Sequence, residues 1–190
     1  MQTTQPMPPM ALPLEVTAEQ LLELSPPHKR TELVRGRMLV REPAGYRHGD
    51  IAARVLIAIG IYLANNPIGR VFAAETGFTL ERKPDTVRAP DVAFIKKERL
   101  LAPAPLSFAE IAPDLVVEVL SPGDRAGEVL AKIADWLNAG CALVWVIDAE
   151  RQLARIYRAD GSVTLLNADE SLAGESLLPG FALPLASLFA

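Results

Sequence analysis

Asp114-Leu115-Val116-Val117-Glu118-Val119-Leu120-Ser121-Pro122 is the stretch that decides the fold. A continuous run of branched aliphatic residues, too short for a buried helix and closed by Ser121-Pro122-Gly123, reads as a strand covered on both faces. Such a strand belongs in the middle of a mixed or parallel sheet. Glu118 interrupts the run, and a carboxylate buried without a partner is costly. It therefore needs either a structural partner or a cation. On a strand Glu118 shares one face with Val116 and Leu120, while Val117 and Val119 point to the other. A second acid, Asp91, heads another apolar strand, Asp91-Val92-Ala93-Phe94-Ile95, after the breaker Pro90. Were the two strands neighbours, the carboxylates would approach to about 4–5 Å and repel by roughly 4 kcal/mol at an effective dielectric of about 20. One of them would then stay protonated unless a cation arrived. With Mg2+, or Mn2+ in its place, both become hard oxygen ligands that leave room for water and a phosphate oxygen.

The helix after this strand, Asp124 to Ala139, has its apolar stripe at Ala126, Val129, Leu130, Ile133 and Leu137, with Gly140 at its C-terminal cap. Arg125, Glu128 and Lys132 fall along one side of it at spacings of three and four. From the border of the stripe Lys132 can reach towards the strand ends, where an ammonium could steady a phosphate or orient a water. The plainer reading is a Glu128–Lys132 surface pair of small worth.

Outward from this centre, Thr17 caps a short helix over Ala18 to Leu24 that Pro26-Pro27 ends. Thr31 to Val34 and Arg37 to Arg41 read as a hairpin turning at Arg35-Gly36. Asp50 to Ala64 reads as a long amphipathic helix. Short strands follow around Val71 to Ala74 and Phe78 to Glu81, and Pro103 and Pro105 keep Lys96 to Ala112 a connector. Ala142 to Ile147 is another buried strand, and Leu153 to Tyr157 with Ser162 to Leu166 a second hairpin. The pattern predicts an α/β domain, in effect α+β, built on a central mixed sheet with flanking helices and extra hairpins near both termini. Residues 15–190 are expected to form that one domain, behind a disordered leader over 1–14 that holds four of the sixteen prolines.

The 190 residues are half hydrophobic and 22% charged, as in ordinary globular chains. No stretch is long and apolar enough to span a bilayer, and no secretory signal opens the chain. One cysteine, Cys141, permits no internal disulfide and fits a buried thiol in a reducing cytoplasm. The net charge of −4 argues against nucleic-acid binding through bulk charge. Lys29, Arg30, Arg35, Arg37, Arg41 and Arg47 nevertheless outnumber Glu32 and Glu42 locally. That excess could contact phosphates, or simply be the solvated edge of a hairpin.

Pro90-Asp91-Val92-Ala93-Phe94, then Pro113 through Pro122, then Asp124 with Lys132 and Trp136-Leu137, resemble the Uma family of restriction endonucleases in the PD-(D/E)XK nuclease superfamily. Glu32-Leu33-Val34-Arg35-Gly36, His48-Gly49-Asp50-Ile51 and Val144-Trp145-Val146-Ile147-Asp148 extend the resemblance over most of the chain. It implies a four-stranded core sheet flanked by helices, and Mg2+-dependent phosphodiester hydrolysis, with DNA as the nucleic-acid substrate. Asp91 would be the motif's aspartate and Glu118 its second acid. The superfamily's lysine two residues after that acid is replaced here by Leu120, and Lys132 would supply the cation from the helix. Glu32 and His48 are accessory candidates, Glu32 towards the metal and His48 towards substrate or leaving group. Arg125 is a further basic candidate, and Glu75 a turn-side residue. A homodimer would let two single sites cut both strands, and the apolar tail Leu177 to Phe189 could be its interface or cover its own core. Two other functions stay open: a non-catalytic binding module on the nuclease fold, and a small-molecule α/β enzyme. No glycine-rich phosphate loop, nucleophile elbow or zinc spacing supports the latter.

Overall fold

A computed structural model describes residues 15–190; the expected leader over 1–14 lies outside the described residues. The central mixed sheet has six strands in the order β10-β9-β8-β7-β6-β3, two more than the four-stranded core that the resemblance implied. These strands are β3 (Gly69–Ala73), β6 (Val92–Lys96), β7 (Leu115–Val119), β8 (Leu143–Asp148), β9 (Leu153–Arg158) and β10 (Val163–Leu166). Only β7 and β8 run parallel, joined by helix α3 (Ala126–Asn138); every other pair is antiparallel. The deciding stretch is thus central, with all five residues of β7 buried.

Each face of this sheet is covered by one long helix. Helix α2 (Tyr46–Asn65) places Ile51, Val55, Ile59 and Leu63, four apart, against Val92, Phe94, Leu115, Val117 and Trp145. Helix α3 places Ile133 and Trp136 against Ala93, Val116 and Val144 on the opposite face. Glu118 stands on that second face, as the alternation from Val116 requires. Helix α2 begins four residues before the expected Asp50. Its first turn, Tyr46-Arg47-His48-Gly49, carries no apolar periodicity that would extend the expected helix. Gly140, at φ +100, takes the left-handed position that ends α3.

A second sheet, in the order β2-β1-β5-β4, comprises β1 (Arg30–Val34), β2 (Arg37–Arg41), β4 (Phe78–Glu81) and β5 (Thr86–Arg88). Strand β5 was not expected. Its three buried residues include Thr86 and Arg88, too short and too polar for an alternation to register. Helix α1 (Ala18–Leu24) closes this layer through Leu21 on Leu33 and Val87, and Thr17 forms the anticipated cap as a full capping box.

The tail forms β11 (Ser171–Gly174), β12 (Leu178–Pro184) and α4 (Ala186–Phe189). Leu178, Phe181, Leu185 and Leu188 are buried in the α2-side core. Of the two uses foreseen for this tail, covering its own core is the one these contacts serve. Cys141 is buried as expected, and burial pushes its thiol up to about 12.

Candidate active site

The meeting of β6 and β7 brings the two acids together. Val92 pairs with Val117, and the Asp91 backbone N–H donates to the Val117 carbonyl at 3.1 Å. Asp91 therefore sits just before its strand rather than within it, beside the last residues of β7. One of its oxygens, Oδ2, accepts the Val119 backbone N–H at 2.7 Å and lies 3.1 Å from His48 Nε2. The other, Oδ1, accepts from Arg30 at 2.9 Å. Burial disfavours the charge on Asp91, 3% exposed, but the His48 hydrogen bond, the Lys132 charge and the Val119 N–H outweigh it. Its carboxyl is held below the usual aspartate range.

Glu118 differs in sign. Burial, with the Asp91 and Glu32 charges added, pushes its carboxyl up to about 7 in spite of Lys132. Its oxygens accept from Lys132 Nζ at 2.8 Å and Trp136 Nε1 at 2.9 Å. Trp136 follows Lys132 by four residues, so both side chains descend from one face of α3 onto the strand acid. The ammonium of Lys132 also contacts Glu32 at 3.0 Å and donates to the Ala89 carbonyl at 3.0 Å. Three acceptors thus take its three N–H groups. Burial opposes the lysine's charge, but Glu118, Glu32 and Asp91 keep it protonated well above the usual range.

Glu32 is neither a hairpin-face charge nor in contact with Asp91. It is buried, accepts the Ala89 N–H at 3.0 Å and pairs with Arg88 at 2.9 Å. Arg88 in turn binds Asp135 of α3 at 2.6 Å. Burial raises Glu32, and Lys132, Arg88 and the Ala89 N–H more than compensate, leaving it below the ordinary glutamate range.

Asp91, Glu118, Lys132 and His48 line one cleft of about 650 Å³. Arg125 does not join them: it is 84% exposed, 3.8 Å from Glu128. Glu128 turns instead to Arg41, so the alignment of Arg125, Glu128 and Lys132 expected along one helix side breaks up functionally. Glu75 is on the surface, 3.2 Å from Arg30. Half of the basic run is tied down, with Lys29 on Glu42, Arg30 on Asp91 and Arg41 on Glu128 and Asp124. Sequence reasoning missed Arg30, Arg88, Asp135 and the donor role of Trp136. The four-residue step from Lys132 could have revealed Trp136; nothing local flags Arg88.

The donor set fits a divalent cation. Asp91 Oδ1 and both Glu118 oxygens each have a further lone pair beyond the present donor, while Asp91 Oδ2 already meets the Val119 N–H and His48. The Asp91–Glu118 repulsion that helps hold one acid protonated is what a dication removes. Among the described residues no group of three or more His, Cys, Asp or Glu side chains could enclose a metal ion. A two-carboxylate set suits Mg2+, which keeps waters and takes substrate phosphate rather than an all-protein cage. Among the described residues no helix is long and apolar enough to cross a membrane.

The family model Uma2, described as "Putative restriction endonuclease", matches residues 18–186. Among solved structures the chain is similar to a putative nuclease belonging to DUF820 from Anabaena variabilis ATCC 29413. The TM-score is 0.79 over 92% of this chain and 97% of that one, at 23% identity, a likeness of fold. No curated protein matches significantly.

Proposed function

The chain belongs to the Uma2 family of putative restriction endonucleases, and on that premise we propose a divalent-metal-dependent endonuclease that hydrolyses phosphodiester bonds in DNA. The observation that carries this reading is the convergence of Asp91 and Glu118, 27 residues apart in sequence, with Lys132 and His48 in one cleft. Asp91 and Glu118 would hold Mg2+, with Mn2+ as a substitute. The cation supplies an activated water and neutralises charge on the phosphate.

The protein's own groups do the rest. Arg30, His48 and the Val119 N–H fix the Asp91 carboxylate, and His48, the Lys132 charge and the Val119 N–H keep it ionised. Trp136 fixes one oxygen of Glu118. Lys132 can reach a phosphate oxygen only by releasing one of its three acceptors. Glu118 is the one that lines the cleft, whereas Glu32 and Ala89 stand behind it. Glu32 and Arg88 therefore act as positioning residues for the ammonium. The reading includes a cytoplasmic setting and a homodimer in which two sites cut opposite strands. A dimer would sediment as one at micromolar concentration.

Mg2+- or Mn2+-dependent nicking of plasmid DNA, abolished by Glu118→Ala, is the expected result. Absence of cleavage on duplex, single-stranded and structured substrates with either metal would overturn it. One second reading has a specific observation behind it. Both carboxylates already have protein cations as partners, and Leu120 replaces the superfamily lysine, as in a nuclease fold retained for binding alone. Nucleic-acid binding without any metal uptake would favour it.

A further inference from the structure

A second cavity of about 520 Å³ adjoins the cleft and shares its Arg30, Pro43, Ala44, His48 and Asp91 walls. Its remaining surface is mostly small and apolar, with Ala52, Ala53 and Leu56 of α2 on one side and Ala73 and Ala74 on another. Gly49 and the polar side chains His28, Lys29 and Glu75 complete its lining. Whatever fills this lobe touches Asp91 and His48 while presenting an apolar body to alanines. On the rim of the main cleft Tyr46, the first residue of α2, is 95% exposed. Beside it stands Arg47, also part of the cleft lining.

Two further facts limit what can enter. Arg41 of β2 reaches Glu128 at 3.1 Å and Asp124 at 3.5 Å, tying the segment before α2 to the turn before α3. These segments are two walls of the cleft, so its mouth is strapped. Acidic side chains also outnumber basic ones along the main cleft, and the chain is acidic overall. Affinity for duplex backbone is chiefly electrostatic and draws on a basic surface that this cleft lacks. A single strand also needs cations along its backbone, which Arg30, Arg41, Arg47 and Lys132 offer on a small scale. Stacking on an aromatic ring, however, adds about 1–3 kcal/mol per base and requires bases free of their partners.

We infer that the side lobe holds an unpaired nucleobase next to the cleaved phosphate, with Tyr46 stacking on a neighbouring base, so that the substrate is a single-stranded or locally unpaired nucleic acid. This rests on the nuclease reading, narrows its substrate class, and supersedes the cutting of opposite duplex strands by a homodimer. One strand passes beneath the Arg41 strap, whose exposed ion pairs are weak and exchange readily for a phosphate. The phosphate lies at Asp91, and the base on its far side enters the alanine-walled lobe.

The test is fluorescence anisotropy of a labelled DNA oligonucleotide, single-stranded or annealed to its complement, with Ca2+ as the divalent ion. Single strands should bind at least roughly tenfold more tightly than the duplex, a difference one base stack can supply. Tyr46→Ala should weaken single-strand binding roughly 5- to 150-fold, the range of one lost base stack. Tyr46→Phe should keep it. Ala53→Trp, which fills the lobe from an exposed helix position, should weaken it comparably. Equal or tighter duplex binding, or single-strand binding indifferent to both Tyr46→Ala and Ala53→Trp, overturns the inference and leaves the nuclease reading standing. Failure to bind either form overturns both.

Discussion

The ammonium of Lys132 lies 2.8 Å from Glu118 Oε2, so the lysine proposed to stand in for the superfamily's strand lysine arrives from α3 at the carboxylate itself. Its position is set from behind. Arg88 bridges Asp135 on α3 and Glu32 on β1, and Glu32 meets the ammonium. A cation of the protein itself thus stands at the strand acid, which accounts for how Glu118 is tolerated in the middle of the sheet. The same contact makes Lys132 both a structural counter-ion and a catalytic candidate, and the two roles separate by measurement.

Lys132→Met tests the structural role. It leaves Glu118 and Glu32 buried with one fewer cation, and breaking a buried pair costs about 3–5 kcal/mol. The loss should read as a lower urea midpoint with unchanged slope. A loss below about 1 kcal/mol would place the pair among exposed bridges of little consequence.

The titration of Glu118 predicts a stability slope. Its folded carboxyl is raised to about 7 from an ordinary 4.5, so its contribution is complete below about pH 4.5 and disappears as pH rises through about 7. Asp91 and Glu32 are lowered, and their contributions change only below their ordinary ranges. Metal-free protein should therefore unfold at lower urea at pH 7.5 than at pH 5.5. Glu118→Gln should flatten that difference; an unchanged slope in the variant would assign it elsewhere.

Cleavage should follow the same group with the opposite consequence, because a protonated Glu118 competes with the cation. Activity at limiting Mg2+ should rise with pH through about 7. Raising Mg2+ should move the midpoint to lower pH. A profile flat from pH 6 to 8 at every Mg2+ concentration contradicts the ligand role.

Glu32→Gln removes an anionic partner of Lys132 without touching the cleft surface. Loss of such supporting contacts costs roughly 10–100-fold in activity or metal affinity. The expected signature is a fall in kcat with KM retained. A rise in KM alone would instead place Glu32 at the substrate.

Much of this arrangement was legible in the sequence, for reasons that differ by element. Strand β7 announced itself because burial on both faces demands an unbroken aliphatic run, and its lone acid then stood out. The meeting of Asp91 with Glu118 was legible only as a condition, that their two apolar strands be neighbours, which the β6–β7 pairing meets. Strand β5 was not legible, since three residues containing Thr86 and Arg88 carry no hydrophobic period. Nor was the β1–β5 pairing that brings Glu32 beside Arg88. Long-range ion pairs leave no local pattern, so Arg30 on Asp91 had to be found in space. Arg125 misled because helical spacing places a side chain on a face and does not say which neighbour that face meets.

The central claim, that Asp91 and Glu118 together hold a divalent cation, is tested most directly by anomalous diffraction from crystals soaked in Mn2+. The account predicts a peak in contact with one carboxylate oxygen of each residue, lost in Glu118→Gln. A peak bound elsewhere, or none with Asp91 and Glu118 still on Arg30 and Lys132, would contradict it.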